Sequence, residues 1–114
     1  MAKKLKAGIL GATGMVGQRL ITLLENHLWF EIACAAASPS SAGKRYGDSV
    51  SGRWKMKEEV PDNARNLIVR VVEDDIDRIC KDVDFIFSAL DMDKQKIREI
   101  EERYASKGIP VVSL

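Results

Sequence analysis

Apolar positions along this chain recur in two rhythms, and the alternation between them organises the sequence. Leu5-Lys6-Ala7-Gly8-Ile9-Leu10 is short and grows apolar toward its end, the pattern of a strand running into a core. Directly after it, Val16, Leu20, Leu23, Leu24 and Leu28 mark one side of a helix laid on a sheet, predicted from about Met15 to Asn26. Ile32-Ala33-Cys34-Ala35-Ala36 is apolar almost throughout, as a strand covered on both faces must be. Further strands are predicted at Leu67–Val72, at Asp82–Leu90 and from Ile109 to Ser113. Ile97, Ile100 and Tyr104 place a second helix over Lys94–Ser106, with Gly108 as its cap.

Between the second and third strands, Ala37 to Lys55 is rich in Ser and Gly and reads as a long loop with one helical turn at most. A loop of that length in a small domain predicts that a ligand or partner orders part of it. Strands alternating with helical patterns imply right-handed crossovers. The expected fold class is therefore α/β, a Rossmann-like, doubly wound, mostly parallel sheet.

Composition narrows the function classes. The chain has 114 residues, enough for one domain, with 46% apolar and 31% charged residues and a formal charge of +1. Basic residues are dispersed apart from Lys3, Lys4 and Lys6, which read as a solvated, frayed start. That argues against nucleic acid as the main partner. No segment is long and apolar enough to cross a membrane, and the start lacks the hydrophobic core of a signal peptide. Cys34 and Cys80 stand alone in a chain with a single His, so two free, buried, unreactive thiols are expected rather than a disulfide or a metal site. Together these features predict a cytoplasmic protein.

The candidate chemistry begins where the first strand ends. Gly11, Gly14 and Gly17 form Gly-x-x-Gly-x-x-Gly between a strand and a helix. Gly11 suits the tight turn, Gly14 lets backbone approach a pyrophosphate, and Gly17 lets helix and strand pack closely. The first-turn amides from Thr13 through Met15 to Val16 would face the phosphates along the helix dipole, with the Thr13 hydroxyl as a further donor. Gln18 follows Gly17 where an ATPase phosphate loop needs Lys, which disfavours that alternative. The tip of the second strand, Ala37-Ser38-Pro39-Ser40-Ser41, has no carboxylate to hold ribose hydroxyls, while Lys44 and Arg45 follow it. That choice of residues favours NADP over NAD. Ser88-Ala89-Leu90 ends the fourth strand at the same sheet edge, where its backbone is expected to line the cofactor site; the alternative is a helix cap supplied by Ser88 or Asp91.

GILGATGMVGQR, AAASPSSAGKRYGD, DVDFIFSAL and YASKGIPVVS, in that order, resemble the beginning of the archaeal and fungal type of aspartate-semialdehyde dehydrogenase. The related malonyl-CoA reductases share these segments. The resemblance implies an NADPH-dependent reduction of L-aspartyl 4-phosphate to the semialdehyde with release of phosphate, in lysine, threonine and methionine biosynthesis. It also implies a full-length homo-oligomer. It assigns Thr13, Gly14, Met15 and Val16 to the pyrophosphate, Ser38, Ser41 and Lys44 to the 2′-phosphate, and Ser88, Ala89 and Leu90 to the strand end beside the cofactor. The family's catalytic cysteine and histidine lie in a later region, and neither Cys34, Cys80 nor His27 matches them. His27 reads as a residue at the C-terminal end of the first helix, beside its dipole. The expectation is a single cofactor-binding domain over residues 1–114, inactive alone. A fragment of a malonyl-CoA reductase and a stand-alone dinucleotide-binding domain remain as alternatives.

Overall fold

A computed structural model describes residues 4–114; Lys3 lies outside the described residues. Five strands form one sheet in the order β3-β2-β1-β4-β5, and every neighbouring pair is parallel. β1 (Leu5–Leu10) leads through α1 (Met15–Leu23) to β2 (Phe30–Ala37). The chain then passes through two single-turn helices, α2 (Tyr46–Ser49) and α3 (Asp62–Arg65), to β3 (Arg70–Val71). From there it crosses through α4 (Ile76–Asp82) to β4 (Phe85–Ser88), and through α5 (Lys94–Ala105) to β5 (Val111–Ser113).

Neighbouring residues on a strand face opposite sides, and here each side finds its own core. On one side Ile9, Ala35 and Ala37 meet Ile21 and Leu24 from the α1 segment together with Tyr46, Val50 and Ala64. On the other, Leu10, Cys34, Ala36 and Ile86 meet Ile76, Ile79, Ile100 and Tyr104 of α4 and α5. The alanines of β2 are weak strand formers on their own. Flanking strands and a helical layer on each face hold them in place.

Several elements differ from the sequence pattern. α1 stops at Leu23, and Asn26 turns the chain with φ 58°. Val16, Leu23 and Leu28 are exposed; of the predicted stripe Leu24 is buried and Leu20 partly so, and Ile21 joins them. Leu67, Ile68 and Val69 do not extend β3. They run antiparallel to 43–46, with Gly43 donating to the Val69 carbonyl, Val69 to Lys44, and Tyr46 to Leu67. Asp82 and Val83 end α4 rather than begin a strand. That helix is set by Asp75, whose carboxylate accepts from the Val71 N–H at 2.8 Å and closes the turn out of β3. Lys6 is not part of a frayed start, since it lies in β1 and its N–H donates to the Asp84 carboxylate at 2.8 Å.

The long segment after β2 contains one helical turn, α2, and hydrogen bonds within the chain hold part of it. The buried Tyr46 hydroxyl donates to the Ala12 carbonyl at 2.6 Å, and Ser49 Oγ donates to the Ser41 carbonyl at 2.9 Å.

Candidate functional site

At the carboxyl edge of the sheet, β1 and β4 lie side by side while their connections leave toward opposite faces. The gap between them is where open α/β sheets bind ligands. A cleft of about 280 Å³ opens there between Gly11, Thr13, Gly14 and Ser38 on one wall and Ala89 and Leu90 on the other. A second cleft of about 360 Å³ shares Gly14, Ala89 and Leu90 and extends past Met15 and Val16 toward Leu114. The two form one elongated trough, with the glycine turn at its middle.

Backbone geometry makes that turn. Gly11 has φ +78°, and the N–H groups of Gly11 and Ala12 both donate to the Ala36 carbonyl, at 2.9 and 3.0 Å. A Cβ on Gly11 would stand 2.5 Å from the Ala89 carbonyl oxygen, and one on Gly17 only 2.1 Å from the Gly11 oxygen. Gly17 thus sits behind the turn as packing, not in the trough. A Cβ on Gly14 would meet nothing nearer than 3.6 Å, so its wall is kept bare toward the ligand side. Gly14 starts α1 without a side-chain cap, and its own N–H turns back onto the Gly11 carbonyl at 3.2 Å. Among the described residues, the N–H groups of Thr13, Met15 and Val16 have no backbone acceptor. Three donors at a positive helix end are a ready anion site.

The remaining expected residues divide. Ser38 lines the trough, and its hydroxyl lies 2.9 Å from that of Ser40. Ser41 is buried outside it, its Oγ accepting from Arg53 Nη2 at 2.6 Å. Lys44 is exposed on the flank of the sheet, where its carbonyl accepts from Val69. Ser88 is buried beneath the trough and caps no helix; its Oγ has no hydrogen-bond partner among the described residues. Asp93 caps α5 in its place, accepting from the Lys96 N–H at 3.3 Å.

Three acidic residues were not anticipated in the site, among them Asp91, which the sequence offers only as a helix cap and which instead lines the cleft. The tip of β2 is free of carboxylates, but Glu73 and Asp74, just past β3, line the same cleft. Glu73 is paired with Lys96 at 3.1 Å and Arg103 at 3.6 Å, so part of this charge is offset. The run Glu73-Asp74-Asp75 following a strand pattern was the signal that could have revealed Glu73 and Asp74.

Among the described residues no nucleophile is assembled. Cys34 is buried inside β2, and burial pushes its thiol up to about 12. Cys80 is free but only half-buried, not buried as its sequence setting suggested; burial again raises it, with Lys107 opposing. His27 lies past the end of α1, at the opposite edge of the sheet, stacked on Phe30 with ring centroids 4.8 Å apart. Its Nδ1 accepts from the Trp29 N–H at 3.1 Å. Among the described residues no cluster of potential metal ligands occurs, and no helix is long and apolar enough to cross a membrane.

This trough can hold an extended, phosphate-bearing ligand. The family model for the semialdehyde dehydrogenase NAD-binding domain matches residues 6–114. The chain belongs to that family. It is 43% identical over 113 residues to aspartate-semialdehyde dehydrogenase of Saccharomyces cerevisiae, covering 99% of this chain and 29% of the yeast protein. It is 45% identical over 102 residues to the enzyme of the same name from Methanothermobacter thermautotrophicus, covering 90% of this chain and 27% of that protein. The structure of Candida albicans aspartate-semialdehyde dehydrogenase with NADP superposes with a TM-score of 0.83 at 40% identity, over 97% of this chain and 29% of that one. The chain thus spans under a third of the length of these relatives.

Proposed function

We propose that this chain is the NADP-binding part of an aspartate-semialdehyde dehydrogenase, serving the reductive dephosphorylation of L-aspartyl 4-phosphate to L-aspartate 4-semialdehyde. The observation that carries the cofactor reading is the trough itself. It has bare glycine backbone and three free amides at its centre, and a β2 tip with serine hydroxyls where a carboxylate would select NAD. The Thr13, Met15 and Val16 amides hold the pyrophosphate, and Gly14 lets it approach. Ser38 faces the 2′-phosphate, with Ser41 buried behind it. Ala89 and Leu90, with Ser88 beneath them, form the wall toward the nicotinamide half.

The bound cofactor supplies a hydride; this chain's residues bind it and fix its orientation. The acyl-carrying thiol and the acid–base group belong to a partner region, so this single domain binds without turning over. Two unpaired thiols suit a reducing cytoplasm. The likeness to the yeast, archaeal and Candida enzymes supports the substrate assignment.

Calorimetric titration of the chain with NADP and NAD, beside a turnover assay with a full-length relative as control, tests the reading. NADP should bind more tightly than NAD, with no aspartyl phosphate reduction. A preference for NAD would overturn the cofactor, and turnover at the control's rate would overturn the division of labour. A longer protein carrying this chain and reducing malonyl-CoA instead would overturn the substrate.

A further inference from the structure

Arg53 lies in the segment after α2, far in sequence from the glycine turn and from the tip of β2, yet it is tied to both. Its carbonyl accepts from Gln18 Nε2 at 3.1 Å, and the same nitrogen donates to the Thr13 carbonyl at 2.9 Å. Its side chain reaches back the other way. Nη2 donates to Ser41 Oγ at 2.6 Å and Nε to the Ser49 carbonyl at 3.2 Å. Ser41 closes a tight turn on Ser38, its N–H donating to the Ser38 carbonyl at 3.0 Å, and Ser38 lines the trough. Arg53 is therefore strung between the two, its carbonyl tied through Gln18 to the wall that meets the pyrophosphate and its guanidinium held at the turn at the end of β2. No carboxylate pairs with it within 4.0 Å among the described residues. A guanidinium has five donors, and only two are used here.

We propose that Arg53 is the cation that selects a 2′-phosphorylated dinucleotide, with Ser41 as the residue that positions it. The inference rests on the NADP reading above and adds to it which residue supplies the charge. A 2′-phosphate leaves the ribose at the tip of the second strand, next to Ser38. Arg53 brings a fixed, planar, permanently charged group to the adjoining turn, with donors free to meet phosphate oxygens. Lys44 is worse placed. Its carbonyl accepts from the Val69 N–H, before β3 begins, so its backbone starts from below the carboxyl edge of the sheet. Ser41, in turn, spends its hydroxyl on Arg53 and acts through it.

The test titrates the chain with adenosine 2′,5′-bisphosphate and with AMP, which differ only in the 2′-phosphate. Wild type should prefer the bisphosphate by about tenfold or more, the scale of one charge-assisted contact. Arg53→Met should bring the two ligands to within about threefold while leaving AMP binding unchanged. Lys44→Met should keep most of the preference. Arg53→Lys and Ser41→Ala should fall between, and they carry the test if Arg53→Met does not fold. Preference retained in Arg53→Met, or in both milder variants, overturns the assignment to Arg53 and leaves the NADP reading standing. Equal loss of both ligands also overturns it, by showing a purely structural role. A wild type with no preference overturns both.

Discussion

The two loops that build the trough are made in opposite ways. The Gly11–Gly17 turn is set by what is missing: side chains that would collide with backbone a few ångströms away. The segment from Ser38 to Lys55 is set by what is present. The Tyr46 hydroxyl on Ala12, Ser49 on Ser41, Arg53 on Ser41 and Gln18 on both Thr13 and Arg53 hold it against the glycine turn. A backbone-made site is rigid and intolerant. A strap held by hydrogen bonds loses its grip one contact at a time.

The contrast is broken most severely at Gly17. Its Cβ would lie 2.1 Å from the Gly11 oxygen and 2.7 Å from the Ala12 Cα, both backbone atoms that cannot rotate away. Gly17→Ala should cost more than about 3 kcal/mol in urea unfolding, at the upper end for overpacking. Gly14→Ala separates binding from folding within the same motif. Its nearest neighbour would be 3.6 Å away, so stability should change by less than about 1 kcal/mol. NADP affinity, however, should drop as the methyl enters the trough. A Gly17→Ala protein as stable as wild type would mean that the turn is not made by exclusion.

Next in size is the joint between the two loops. Gln18 is buried, gives its amide to Thr13 and Arg53, and accepts from the Lys55 N–H at 2.8 Å. Gln18→Leu keeps the apolar bulk and leaves three backbone groups short of partners. The expected cost is about 2–3 kcal/mol. Hydrogen exchange should rise in 46–55 more than in α1, because only the strap depends on side-chain contacts. Equal acceleration in both would show that the two loops open as one unit.

The same division explains what the sequence made legible. Gly11, Gly14 and Gly17 declare themselves because a steric requirement is local, and the strand before and helix after are local too. The parallel sheet was legible from alternation alone. The role of Arg53 was not, because its meaning comes from Ser41, Ser49 and Gln18, the last of them 35 positions away. Leu67-Ile68-Val69 misled because an apolar run looks the same whether it lengthens a parallel strand or pairs antiparallel with 43–46. α4 was hidden by its acidic approach, Glu73-Asp74-Asp75, although Ile76, Ile79 and Val83 recur at helical spacing and are buried. The carboxylates of that approach close the turn and line the cleft, so one misread segment concealed both a helix and part of the site.

The smallest effect distinguishes the loops by pH. The Tyr46 hydroxyl is buried against the Ala12 carbonyl, and burial raises its pKa above the ordinary 10.0, with Arg53 opposing. At neutral pH Tyr46→Phe should cost about 1–2 kcal/mol, the price of leaving that carbonyl without its donor. Above pH 10 the unfolded tyrosine ionises while the folded one keeps its proton. The native state then binds more protons than the unfolded state, and wild-type stability falls by up to about 1.4 kcal/mol per pH unit from this group. Phenylalanine has no such loss. Cys34 and Tyr104, which are also raised by burial, titrate alike in both proteins and cancel in the difference. The stability gap between wild type and Tyr46→Phe should therefore be constant from pH 6 to 9 and close near pH 11 in urea titrations. A gap that stays constant to pH 11 would mean that the hydroxyl reaches water and that Tyr46 does not clasp the strap to the glycine turn.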